Sequence, residues 1–157
     1  MSRQHWAEVF AAEATDSPDG SVTEHVRRYL ATDGADGYLE GGATNLVLTT
    51  VGRTSGTLRR TGLFFGSDGD RYVLVASGSR PTETHPQWYR NLLVHPEVHI
   101  QVRGERLVAR AHTAEGAERE RLWRLMCELA PVYRTYYQPR TRRVIPVVVL
   151  DPLWRLT

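Results

Sequence analysis

The stretch Asn45–Phe65, NLVLTTVGRTSGTLRRTGLFF, decides how this chain is read. Apolar Leu46, Val47 and Leu48 lead into Gly52-Arg53-Thr54-Ser55-Gly56, and a second apolar run closes on Leu63, Phe64 and Phe65. Two strand-like segments around a short glycine-bearing loop predict a β-hairpin. Arg53, Arg59 and Arg60 crowd that turn, and no carboxylate occurs between Thr49 and Gly66. Backbone N–H groups, the Thr54 and Ser55 hydroxyls and three guanidinium groups form a candidate seat for phosphate or carboxylate. The same cluster also reads as a solvated basic patch, which costs little on a surface.

Downstream, GSDGDR contains Asp68-Gly69, a strong hairpin signal. Tyr72–Ala76 is then a third strand, apolar throughout and so expected to be buried on both faces. It ends at Ser77, where a loop with Gly78, Ser79 and Pro81 begins; Pro86 opens a helix through Trp88, Tyr89, Leu92 and Leu93. Residues 98–102 alternate apolar and polar, and 107–112 return as their partner. Thr113 is expected to cap a helix from about Ala114 to Leu129, which Pro131 breaks, and Val144–Leu150 supplies a last strand. Upstream, residues 4–14 and 21–33 have helical spacing. Six strands and four helices predict an α+β fold, an antiparallel barrel with helices packed outside.

At 157 residues, the chain is expected to form one domain (1–157, with 1–40 a helical N-terminal extension), and 41% hydrophobic with 24% charged residues is ordinary for a soluble protein. A net charge of +2 does not argue for nucleic acid. Every basic residue is arginine, which fits the coding bias of a GC-rich genome better than functional tuning. The single Cys127 excludes an intramolecular disulfide and reads as a buried thiol. No window approaches the roughly 20 apolar residues of a transmembrane span. The first 14 residues carry acids within their apolar portion and do not read as a secretory signal, so a cytoplasmic location is expected, with peripheral membrane contact as the variant.

The six histidines show no metal-ligand spacing, so no metal is expected. No nucleophile elbow, P-loop or dinucleotide fingerprint occurs. Tyr133, Tyr136 and Tyr137 follow the helix-breaking Pro131. If they form a helical turn, Tyr133 and Tyr136 share one face. They read either as core packing or as a wall for a flat ligand, and Trp88 and Tyr89 carry the same two readings.

Four segments in order, LTTVGRTSGTLRRTGLFF, DGDRYVLVAS, HPQWYRNLLVHPEVHIQV and IPVVVL, resemble the deazaflavin-dependent nitroreductase family, which uses coenzyme F-420. The similarity spans about Val26 to Pro152. The resemblance implies a split β-barrel related to flavin-binding oxidoreductases, with FMN as the second choice of cofactor. It implies that Arg53, Thr54, Ser55, Gly56, Arg59 and Arg60 hold the phosphate and oligoglutamate tail. Thr61, Phe64, Ala76, Ser77 and Gly78 would line the deazaflavin ring, and Trp88, Tyr89 and Asn91 would help close the groove. Phe64, Ala130, Tyr133 and Tyr136 would border a small-molecule electron acceptor (a quinone, enone or nitroaromatic), with Tyr133 and Ser77 as candidate catalytic residues. A monomer or homodimer is expected, without nucleic acid or stable membrane insertion.

The chain also departs from the family's pattern. Thr54 stands where many relatives have Lys, and Leu58 and Gly62 stand where they have Pro. The loop after Ser77 reads Gly-Ser-Arg, so Arg80 is a candidate replacement cation. Phe64 and Ala130 stand where tyrosines are usual. These changes leave a second reading open, a non-catalytic protein holding a flavin, haem-like or fatty-acyl ligand in the same barrel.

Overall fold

Among the described residues, the hairpin is the start of a nine-stranded sheet that curls on itself without closing. A computed structural model describes residues 15–16, 20–40 and 43–156. The chain runs β1 (Thr15–Asp16), α1 (Gly20–Ala31), β2 (Leu39–Glu40), β3 (Ala43–Val51), β4 (Leu58–Phe64), β5 (Gly66–Asp68) and β6 (Arg71–Val75). It continues with α2 (Gln87–Val94), β7 (Glu97–Val102), β8 (Glu105–Thr113) and α3 (Gly116–Leu129). A π-helical turn (Tyr133–Tyr137), a 3-10 turn (Gln138–Arg140) and β9 (Val147–Arg155) complete it. The helix expected at 4–14 lies outside the described residues.

The six expected strands are the long ones, β3, β4, β6, β7, β8 and β9, and the additions are short pieces at the sheet's margins. The hairpin pairs Asn45 with Phe64 through Val51 with Leu58. Pairing then runs β4-β3-β7-β8-β9-β6, so β4 and β6 end the main ladder without pairing to each other. The Asp68-Gly69 turn joins β6 not to β4 but to β5. The chain leaves β4 at Phe65 and crosses to the other end of the sheet, which leaves a split barrel rather than a closed one.

Alternation along the strands divides the core in two. Leu46, Leu48, Leu74, Ile100, Val148 and Leu150 fill the inside, and Trp88, Tyr89 and Leu92 of α2 pack against them. Val73, Val75, Val147 and Val149 point outward against Leu122, Met126 and Cys127 of α3 and against Tyr133. That double burial explains why β6 reads as apolar at every position. A third cluster seats α1 on β3 through Val26, Tyr29 and Val47.

Two boundaries differ from expectation. β8 runs on to Thr113, which pairs with Val148, so α3 begins at Gly116 with Glu115 before it. The last strand starts at Val147 and continues through Pro152 to Arg155, past a register shift between Val108 and Ala109. Proline is tolerated there because a bulge relieves it of a ladder hydrogen bond.

Candidate coenzyme and substrate cleft

A cavity of about 850 Å³ opens at the split, where β4 faces the end of β6. One end is basic. Arg53 of the hairpin turn and Arg59 and Arg60 of β4 line it, and no aspartate or glutamate is among the described lining residues. The turn is tightly organised: the Gly52 amide donates to the Thr57 carbonyl at 2.7 Å and the Gly56 amide to the Gly52 carbonyl at 2.8 Å. A Cβ at Gly52 would sit 2.7 Å from Ser55 Oγ and 3.1 Å from the Thr57 carbonyl, so only glycine fits this cradle.

Arg53 is set from behind. Its amide and its Nη1 both donate to Asn91 Oδ1, at 3.2 and 2.8 Å. Asn91, buried on α2, in turn donates from Nδ2 to Thr50 Oγ1 at 3.2 Å. Donor groups without carboxylates suit a ligand rich in negative charge.

The other end is aromatic. Phe64, Tyr133 and Tyr137 line it with Ala130 and Val132. Ring centroids lie 6.3 Å apart for Phe64 and Tyr133, and 6.1 Å apart for Tyr133 and Tyr137. Tyr133 is 8% exposed, and burial, with neighbouring Tyr137, holds its phenol far above the ordinary tyrosine range. It is a neutral phenol at any working pH rather than an anion. Tyr137 donates to the Ser79 carbonyl at 3.3 Å. Ser77 is buried at the wall, its Oγ donating to the Gly78 carbonyl at 3.2 Å.

A family model described as F420H(2)-dependent quinone reductase matches residues 21–152. The chain belongs to this family. An F420H(2)-dependent quinone reductase of Mycobacterium tuberculosis is 38% identical over 130 residues, covering 80% of this chain and 86% of the relative. A solved F420-H2-dependent reductase (FDR-A) superposes with a TM-score of 0.61 at 34% identity, covering 68% of this chain and 93% of that one. A structure described as a domain-swapped dimer gives 0.63 at 34% identity, covering 86% of this chain and all of that one. Family membership makes the protein a reductase that uses coenzyme F-420, in the split-barrel fold of its relatives. Among the described residues no helix is long and apolar enough to cross a membrane.

For this member of the quinone reductase family, the cleft gathers Arg53, Thr54, Ser55, Arg59, Arg60, Thr61, Phe64, Ser77, Gly78, Trp88, Asn91, Ala130 and Tyr133. Four other expected residues do not line it. Gly56 is the exposed tip of the turn. Ala76 is fully buried one step behind the wall. Tyr89 is buried in the barrel core, and its hydroxyl hydrogen-bonds Thr113 Oγ1 at 2.9 Å. Tyr136 is 44% exposed beneath the Arg140 guanidinium, and Tyr137 occupies the wall in its place. The cause is the π-helical turn: its wider spacing lays the residue four on, rather than three on, beside Tyr133. Arg80 is exposed and does not line the cavity.

Gly62 and Val22 also line the cleft. A Cβ on Gly62 would come within 2.5 Å of His25 Nδ1, so α1 packs into the space that a side chain would need. His25 Nε2 is fixed by the Gly37 carbonyl at 2.7 Å. Sequence spacing gives no sign of this pair, because its members are 37 residues apart and His25 belongs to no motif.

Proposed function

We propose that the protein reduces a quinone at the aromatic end of the cleft while the coenzyme's charged tail lies along Arg53, Arg59 and Arg60. The observation that carries the reading is the polarity of one continuous cavity, guanidinium groups at one end and an uncharged aromatic wall at the other. The resident coenzyme supplies hydride when bound. The residues present fit it: the turn offers amide, hydroxyl and guanidinium donors, and Gly52 keeps the backbone accessible beside them.

The protein's own part is orientation, exclusion of water and charge management. Arg53 is preset by Asn91, so binding the tail orders little that is not already ordered. Ser77 and Gly78 flank the ring position, and Phe64 with Trp88 closes it in. Tyr133 holds its proton beside the place where an acceptor oxygen gains negative charge, and can donate a hydrogen bond or the proton itself. The missing hydroxyls at Phe64 and Ala130 leave Tyr133 as the chief polar group among the residues expected to border the acceptor.

Two anaerobic measurements test this. Titration with oxidised coenzyme should quench its fluorescence, and the affinity should weaken as salt rises. Oxidation of the reduced coenzyme should be fastest with menadione when menadione, a cyclohexenone and a nitroimidazole are compared. Turnover of the enone or nitro compound without turnover of the quinone would overturn the acceptor assignment.

A further inference from the structure

The Ala76–Pro86 segment connects the end of β6 to the start of α2 and carries Ser77, Gly78, Ser79 and Pro86 into the cleft wall. It is held from behind by a side chain that does not line the cavity. Arg143 donates from Nε to the Thr82 carbonyl at 2.8 Å and from Nη2 to the Ser77 carbonyl at 3.0 Å. Its Nη1 reaches the Ala76 carbonyl at 3.0 Å and His85 Nδ1 at 2.9 Å. All four partners are uncharged. A half-buried cation with neutral acceptors costs desolvation that only full hydrogen bonding offsets, and here burial pulls the guanidinium pKa downward. Neighbouring bonds point the same way: Thr141 Oγ1 also donates to the Thr82 carbonyl at 2.9 Å, and the Arg142 amide donates to Glu83.

We propose that Arg143 is a positioning residue, a fork that fixes Ala76–Pro86 so that Ser77 and Gly78 stand ready before the coenzyme arrives. The reference to the coenzyme rests on the family reading; the clamp itself rests only on this geometry. A planar guanidinium can span acceptors at Ala76, Ser77, Thr82 and His85 together, and the ammonium of a lysine cannot.

The clamp has a pH limit. Arginine can only donate, so His85 Nδ1 must present its lone pair, with the proton on Nε2. The ring sits edge-on to Tyr89 at 5.0 Å. Arg143 and Arg90 are the charged groups that act on it, and Glu83 lies close enough to act on Arg143. Burial, then the two arginines, push the imidazole pKa below its ordinary value. Protonation converts the acceptor into a donor facing a cation, so the clamp is closed at neutral pH and opens in acid.

Amide hydrogen exchange on the coenzyme-free protein tests the clamp directly. Arg143→Lys should speed exchange in 76–86 at least about tenfold while amides of β3 and β7 are unchanged. Unchanged exchange in 76–86 would overturn the proposal. If Arg143→Lys fails to fold, His85→Phe keeps the ring on Tyr89 and removes only the acceptor; faster exchange there supports the clamp, and unchanged exchange overturns it. Coenzyme affinity followed downward from about pH 6.5 supplies the second readout: as the solution is acidified, wild type should weaken at least about tenfold more than His85→Asn, which keeps a neutral acceptor. Identical profiles for the two would overturn the pH limit. A wild type that never binds coenzyme would instead refute the proposed coenzyme site, leaving the exchange result to decide the clamp.

Discussion

Asn91 Oδ1 accepts two hydrogen bonds from one residue, the backbone amide and the Nη1 of Arg53. The helix α2 thereby holds both the chain path and the charged head of the hairpin turn. Replacing Asn91 with Leu leaves the amide and guanidinium of Arg53 without that acceptor, an effect of about 1–3 kcal/mol. Coenzyme affinity should fall by roughly tenfold or more. Fluorescence quenching by Asn91→Leu at wild-type strength would show that Arg53 needs no such anchor.

Gly62 and His25 compete for one space. Gly62→Ala should destabilise the protein by about 1–3 kcal/mol, because the new methyl meets the imidazole and must displace α1 or β4. His25→Ala should relieve that strain, so the double variant should be less destabilised than the two single changes summed. Urea unfolding of all four proteins measures the coupling, and strict additivity would contradict it.

The phenol of Tyr133 is predicted to stay protonated across the whole working range. Tyr133→Phe should lower quinone turnover about 100-fold and leave coenzyme binding unchanged. The pH–rate profile of the wild type should show no inflection from a tyrosine on its alkaline side. Normal turnover in Tyr133→Phe would move the proton donor elsewhere, with Ser77 next to test.

Acid should weaken the fold through His99. This imidazole is 2% exposed, and burial, with Arg106 nearby, pushes its pKa down to about 4 from the ordinary 6.5. The unfolded chain takes up the proton first as pH falls, so the stabilising contribution is full above about pH 6.5 and is lost between there and about pH 4. The slope approaches 1.4 kcal/mol per pH unit inside that window. His99→Leu should show a shallower stability curve between these limits, and parallel curves would exclude His99 as the source.

Much of the fold could be read because its signals are local. The Asn45–Phe65 hairpin, the apolar β6 and the alternation in β7 are each contained in one unbroken short stretch of chain. The basic end of the cleft could be read for the same reason, since Arg53 in the turn and Arg59 and Arg60 at the start of β4 lie close together in the chain. What escaped depends on distant partners or uncommon backbone. The Arg143 fork joins residues about 60 positions apart and reads in sequence as one more surface arginine. Tyr137, four residues after Tyr133, and Tyr136, three after it, are equal candidates by ordinary helical spacing, and only the π-helical turn decides between them. The gap between β4 and β6 follows from the chain's crossing at Phe65, where the sequence offers only another aromatic residue.

The split has a consequence for how the cleft is dimensioned. Its two walls are the terminal strands of one ladder, separated by β3, β7, β8 and β9. The aperture is therefore set by the summed twist of every strand between them, and no direct contact across it is required. The register shift opposite Pro152 acts on that sum as an adjustment remote from any ligand. Substitutions in β8 and β9 that alter this shift should widen or narrow the slot and retune which acceptors enter, without changing a single residue that touches them.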